Sequence, residues 1–200
     1  MTTHTLDLLK QRRSIYALGR NVSIPNDKLI TLIKECLRQS PTPFNNQSVR
    51  VVICLGAHHE KIWDTTTKIL KDMSKDESKF AATQAKMDGF KAGFGTILFY
   101  NDETVVENFR KQFPPYEANF PIWAEQSQGI AQQSVWVALA EQKIGASLQH
   151  YNPLIDAKMT EFFEIPPHWT LRAEMVIGSI EAPAGEKSFL PEEQVFKVFQ

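Results

Sequence analysis

Ile122-Trp-Ala-Glu-Gln-Ser-Gln-Gly-Ile-Ala-Gln-Gln-Ser-Val-Trp-Val-Ala-Leu-Ala-Glu-Gln-Lys143 is the longest helical pattern in the chain, and its placement decides what can be built around it. Ile130, Val135, Val137, Ala138 and Leu139 make it apolar on more than one side, which marks a central, buried helix. Gly145 ends it; residues 146–149 read as extended, 155–163 as a helix, and Arg172-Ala-Glu-Met-Val-Ile-Gly178 as a strand. Toward the N-terminus, Thr96-Ile-Leu-Phe-Tyr100 is a second strand set off by Gly93 and Gly95, and the helix after it should stop before Pro114-Pro115. Residues 58–92 read as two polar-faced helices, the first carrying Ile62, Trp63, Ile69 and Leu70 and the second Phe80, Met87 and Phe90. Val49-Arg-Val-Val-Ile-Cys-Leu55 is a buried strand, preceded by a helix that starts at Ile24-Pro25-Asn26-Asp27 and repeats Leu29, Ile30, Ile33 and Leu37 as far as Pro41. Helices and strands follow one another in an α+β mixture, read as one domain over residues 1–200.

With 200 residues and 42% hydrophobic content the chain can bury a sizeable single core. The 22 basic and 23 acidic residues nearly cancel, so there is no electrostatic footprint for nucleic acid or an anionic membrane. No apolar run is long enough to span a bilayer, and Met1-Thr-Thr-His4 does not open a signal peptide, which points to the cytoplasm. Cys36 and Cys54 fit neither a redox pair nor a zinc site and read as buried reduced thiols. His58 and His59, side by side on a helix, read as solvated and not as metal ligands. The tail, about residues 181–200, still carries Phe189, Leu190, Val195, Phe196, Val198 and Phe199, an apolar load that suggests a partner subunit.

Four constellations can carry chemistry. Arg12-Arg13-Ser14, where a helix should run out into a loop, has the forked guanidiniums and hydroxyl that a phosphate monoester takes, although an Arg pair in a loop is more often simply solvated. Ser40-Pro-Thr-Pro43-Phe-Asn45-Asn-Gln47 offers amides to the edge of a planar heterocycle, or is a stiff turn between helix and strand. Leu148-Gln149-His150-Tyr151 leaves a strand; His150 is an acid–base group or a structural histidine. Lys187 is an anion contact or an ordinary surface lysine.

Taken in order, these four resemble the nitroreductase family of FMN-dependent enzymes over nearly the whole chain. The resemblance implies an α+β nitroreductase-like fold with a central, mostly antiparallel sheet flanked by helices, in an intertwined homodimer whose C-terminal segments embrace the partner. Arg12, Arg13, Ser14 and Lys187 match the family's phosphate grip, and Ser40, Pro41, Thr42, Pro43, Asn45 and Gln47 match its flavin-ring loop. Leu148, Gln149, His150 and Tyr151 stand where many members have Pro-x-Glu-Gly, a form similar to the fatty-acid-repression-mutant-like and copper-induced branch. Two further departures are Tyr16, where relatives often have a lysine near flavin N1, and Phe189, where many have an arginine.

The resemblance further implies bound FMN, NAD(P)H as a transient donor, and ping-pong hydride transfer to nitroaromatics, quinones or similar small acceptors. No side-chain nucleophile or general base is then required, because the cofactor carries the hard step. The absence of GxGxxG agrees with a transient nicotinamide. Phe94, Tyr116, Phe120 and Trp123 fall in segments that line the family's access cleft, though aromatic residues are as readily core. The alternative is a flavin-binding, redox- or lipid-responsive regulator whose turnover is incidental.

Overall fold

The structure, a computed structural model, describes residues 3–74 and 77–200. Elements run α1 (His4–Gln11), β1 (Leu18–Gly19), α2 (Asn26–Gln39), β2 (Val49–Leu55), α3 (Ala57–Met73), α4 (Glu77–Lys91), β3 (Gly95–Asp102), α5 (Glu103–Gln112), α6 (Phe120–Glu141), β4 (Ile144–Gln149), α7 (Asp156–Phe163), β5 (Trp169–Ile180) and α8 (Glu192–Val195). The junction between the two helices expected at 58–92 falls on residues 75–76, outside the described ones; Met1 and Thr2 lie outside them too.

The five strands form one antiparallel sheet around β5, which pairs with β3 and β1 along one edge and with β4 along the other, while β2 extends the sheet beyond β3. Strand side chains alternate between faces, and the residues divide accordingly. Leu98, Tyr100 and Val176 face α3, α4 and α7, joining Ile62, Trp63, Met87, Phe90, Ile155 and Met159. Ile97, Phe99, Ala173, Met175 and Ile177 face α2 and α6, joining Leu29, Ile33, Val135, Trp136 and Leu139. All of β3 is buried, as a strand covered on both faces requires.

The expected central helix is α6, but it is not buried all round. Ala124, Ala131, Val135 and Leu139 point inward, while Ile122, Gln126, Gly129 and Ile130 are exposed along one stripe. The expected solvated histidine pair also divides. His58 is exposed, whereas His59 is buried, its Nδ1 2.8 Å from the Thr96 hydroxyl and its Nε2 3.2 Å from the Lys91 carbonyl. Burial lowers its pKa to about 4, so the ring is neutral near neutrality. Trp63 donates to the same hydroxyl at 2.9 Å, so Thr96 ties α3 to β3.

Gly178 lets β1 cross closely over β5: a Cβ there would lie 2.4 Å from the Gly19 carbonyl oxygen and 3.2 Å from the Phe94 nitrogen. Neither backbone group can yield without breaking a strand, so Gly178→Ala is expected to destabilise the protein by about 2 kcal/mol, read from chemical denaturation midpoints.

Candidate functional site

Helix α1 begins at the Thr3 cap, whose hydroxyl accepts from the Leu6 N–H at 3.3 Å, and gives way at Arg12 to extended backbone. Ser14 then pairs in parallel with Ala146 of β4, and the Ile15 N–H donates to the Ala146 carbonyl at 2.9 Å. Ile15 and Leu18 are buried and anchor this segment. Arg12, Arg13, Ser14 and Tyr16 are thereby fixed on one wall of a cavity of about 660 Å³; the other wall is residues 182–188, including Lys187. Arg13 closes the two walls by donating from Nη2 to the Gly185 carbonyl at 2.6 Å. The Arg12 guanidinium stacks 4.6 Å from the Trp136 ring centre, and its buried Nε has no hydrogen-bond partner. Three cations against the single carboxylate of Glu186 give the cavity a net positive charge, which suits an anion. The Lys187 ammonium lies 4.9 Å from the ring centre of Phe189, the residue that replaces the expected arginine.

Ser40 ends α2 with its hydroxyl donating to the Cys36 carbonyl at 2.7 Å. The loop that follows places three non-glycine residues in the left-handed region, Phe44 at φ 53°, Asn45 at 52° and Gln47 at 51°. Such backbone is unfavourable unless its surroundings hold it. Here the Gln47 N–H donates to the Thr42 hydroxyl at 2.9 Å, the Ser48 N–H to Asn46 Oδ1 at 3.1 Å, and Arg50 bridges the Gln47 carbonyl to Asp102. The strained turn throws Phe44 outward onto Phe113, stacked at 4.6 Å, with Tyr116 at 5.9 Å and Trp123 at 6.3 Å. Pro41, Thr42, Pro43, Phe44, Trp123 and Ile130 line most of a largely apolar cavity of about 310 Å³ there. Phe44 was not among the residues singled out by sequence, although an aromatic between two prolines and two asparagines is a visible signal.

Of the four aromatic residues expected at a cleft, Tyr116 and Trp123 join Phe44 at the surface, and Phe120 is buried beneath them. Phe94 is elsewhere. Its N–H is tied to the Ile177 carbonyl at 2.8 Å, and its ring packs on the α2 and α6 side of the sheet.

Past β4, His150 is exposed, while the Tyr151 ring meets Trp63 edge-on at 5.8 Å. Leu148 packs toward α2 and α6, and Gln149 is buried with its Nε2 unpartnered. The Tyr151 N–H donates at 2.9 Å to Glu174 of β5, a fully buried carboxyl that sequence reasoning passed over. Its signal was a lone acid inside the apolar run 171–177. Burial pushes this carboxyl up to about 8 against the opposing pull of the Tyr151 amide, with Asp156 adding to the rise and the Asn152 amide to the pull.

The structure thus joins Arg12, Arg13, Ser14, Tyr16 and Lys187 to β4 and its exit, but not to Pro43, Asn45 and Gln47. The phosphate-type cavity meets α6 near Trp136, and the aromatic loop meets it near Trp123. Thirteen residues of helix separate those points by about 20 Å. Among the described residues no cluster of histidine, cysteine and acids is arranged to hold a metal, and no helix is long and apolar enough to cross a membrane. Cys36 and Cys54 are free, and burial pushes the Cys54 thiol up to about 12.

The profile of the Nitroreductase family matches residues 9–179. HBN1 of Saccharomyces cerevisiae is 35% identical over 187 residues, 92% of either chain. The nitroreductase CinD of Lactococcus lactis, solved with nicotinic acid, is 49% identical with a TM-score of 0.91 over 98% of this chain and 100% of its own; it has also been solved with chloramphenicol and with 4-nitrophenol. A nitroreductase of Desulfitobacterium hafniense with bound FMN shares the fold at 17% identity, with a TM-score of 0.71 over the whole of both chains.

Proposed function

The chain belongs to the nitroreductase family, and from that premise we propose that it is a cytoplasmic FMN-dependent NAD(P)H oxidoreductase that reduces nitroaromatics or similar small acceptors. The observation that carries this is the anion cavity: Arg12, Arg13 and Ser14 face Lys187 across a single space, although 173 residues of sequence separate Ser14 from Lys187. The donor set fits a flavin mononucleotide. Guanidinium forks, a hydroxyl and an ammonium match a phosphate dianion, and the buried, unpartnered Nε of Arg12 is a donor still waiting for an acceptor.

In this reading Arg12, Arg13, Ser14 and Lys187 bind the phosphate, and β4, which touches Ser14 at Ala146, leads about 10 Å onward to Gln149 and the loop beside the ring. Bound FMN supplies the hydride-accepting chemistry that no side chain of this set possesses. The Pro43, Asn45 and Gln47 loop, remote on the same chain, comes to the ring from a second copy, which makes the site a property of a homodimer. The exposed stripe of α6 and the apolar tail are the surfaces available for that pairing. The aromatic patch of Phe44, Tyr116 and Trp123 would then border the open side of the ring, where flat acceptors stack. CinD, with 4-nitrophenol and chloramphenicol bound, supports acceptors of that kind.

Protein purified without added cofactor is expected to be yellow, to bleach anaerobically with NADH or NADPH, and to recover colour when a nitroaromatic is added. A colourless protein that does not take up FMN would overturn the reading; flavin that binds without being reduced would favour a regulator.

A further inference from the structure

The sheet face that carries Leu98, Tyr100 and Val176 also buries Thr96, Ser147, Gln149 and Glu174. Gln149 stands directly opposite Glu174, and Ser147 opposite Val176, so these side chains share that face. One oxygen of Glu174 accepts the Tyr151 N–H at 2.9 Å, and the other oxygen has no hydrogen-bond partner. Among the described residues no cation pairs with it: Arg172, on its own strand, bonds Glu125 at 2.8 Å instead. An unpaired buried acid destabilises a fold, and a hydrophobic or amide side chain would fill the same place at less expense in free energy.

What the acid does is visible in the backbone around it. The Ala146 carbonyl is taken by Ile15, outside the β4–β5 pair, so in the alternating antiparallel ladder it is Gln149 that exchanges backbone bonds with Glu174. The amide of Tyr151 turns inward to the carboxyl. Between the ladder and that amide, the His150 N–H has no acceptor among the described residues, and the His150 side chain is exposed.

We propose that Glu174 is the positioning residue of the loop leaving β4: by holding the amide of Tyr151 inward, it presents the His150 N–H outward to the edge of the flavin ring. The inference rests on the FMN reading above and narrows it to one amide and one buried group.

The groups facing Glu174 are Tyr151 from the loop, Asp156 from the start of α7 and Tyr100 from β3. Cys54 of β2 lies near Tyr100, and Arg172 acts on Asp156. Burial raises Asp156 and Tyr100 as well, so Glu174 ionises beside groups that do not readily offset its charge. Its carboxylate form, reached above about pH 8, accepts the Tyr151 amide more strongly than its acid form does.

The test is the affinity of full-length apoprotein for FMN, by quenching of flavin fluorescence, in wild type and Glu174→Gln at pH 6.5 and pH 9. The glutamine resembles the protonated acid. The two proteins are therefore expected to bind FMN within about twofold of each other at pH 6.5, with the variant about tenfold weaker at pH 9. Riboflavin, which lacks the phosphate, should show the same divergence. Equal affinities at both pH values, or a loss of the same size at both, would overturn the positioning role. A wild type that binds FMN at neither pH would overturn the cofactor reading itself, and this inference with it.

Discussion

Arg13→Ala is expected to weaken FMN binding by about two to three orders of magnitude while changing riboflavin affinity by less than about threefold, as measured by fluorescence titration of the apoprotein. Arg13 contributes twice to the anion cavity. On the proposed reading its fork supplies charge-assisted donors to the FMN phosphate, each worth about 1.5–3 kcal/mol, and its Nη2 bond to Gly185 holds the 182–188 wall against the N-terminal wall. Arg13→Lys restores a charge but not the fork, so it should recover only part of the loss. Arg12→Ala in addition removes a guanidinium braced on Trp136 and should leave the purified protein colourless. An Arg13→Ala protein with unchanged FMN affinity would mean that the cavity is not the phosphate site.

The second expected result needs no cofactor. In the apoprotein, Glu174→Gln should be as stable as wild type near pH 4 and progressively more stable as the pH rises toward 8. The sign follows from proton uptake. An ordinary glutamate loses its proton near pH 4.5, whereas the folded protein keeps the Glu174 proton up to about 8. Between those values the folded state binds more protons than the unfolded one, so each pH unit subtracts about 1.4 kcal/mol from wild-type stability, and the amide variant escapes this loss. Denaturant midpoints across pH 4 to 9 measure the gap. Parallel curves for the two proteins would show that Glu174 titrates as an ordinary carboxyl. Together with the FMN experiment, the expected pattern is a trade: the substitution that relieves the fold weakens the site.

Most of the architecture was legible in the residues. The apolar runs at 49–55, 96–100 and 172–178 are β2, β3 and β5, and the long pattern from Ile122 is α6, because hydrophobic periodicity records the burial that forms these elements. Two short features escaped. The two-residue β1 carries too little pattern to be read, and its existence depends on Gly178 admitting it. His59 was read as solvated because adjacent histidines on a helix point different ways; that spacing in fact puts one in water and the other against Thr96.

The anion cavity was legible only as separate motifs, since the bringing together of Arg13 and Lys187 is a product of β5 returning beside β1. Phe44 and Glu174 were missed for a related reason. The direction of Phe44 is set by left-handed backbone, and the part played by Glu174 depends on an amide 23 residues away in sequence, neither of which a local pattern contains.

The place of β5 in the sheet also governs how the protein is made. It is the last strand in sequence and the one to which β1, β3 and β4 all pair. A chain emerging from the ribosome therefore has α1 through α7 with only the β2–β3 pairing, closed across α3 and α4, able to form, and the apolar faces of α2, α6 and β4 wait uncovered until residues 169–180 follow. A chain ending before Trp169 is accordingly expected to leave those faces exposed and not to fold as a smaller working domain.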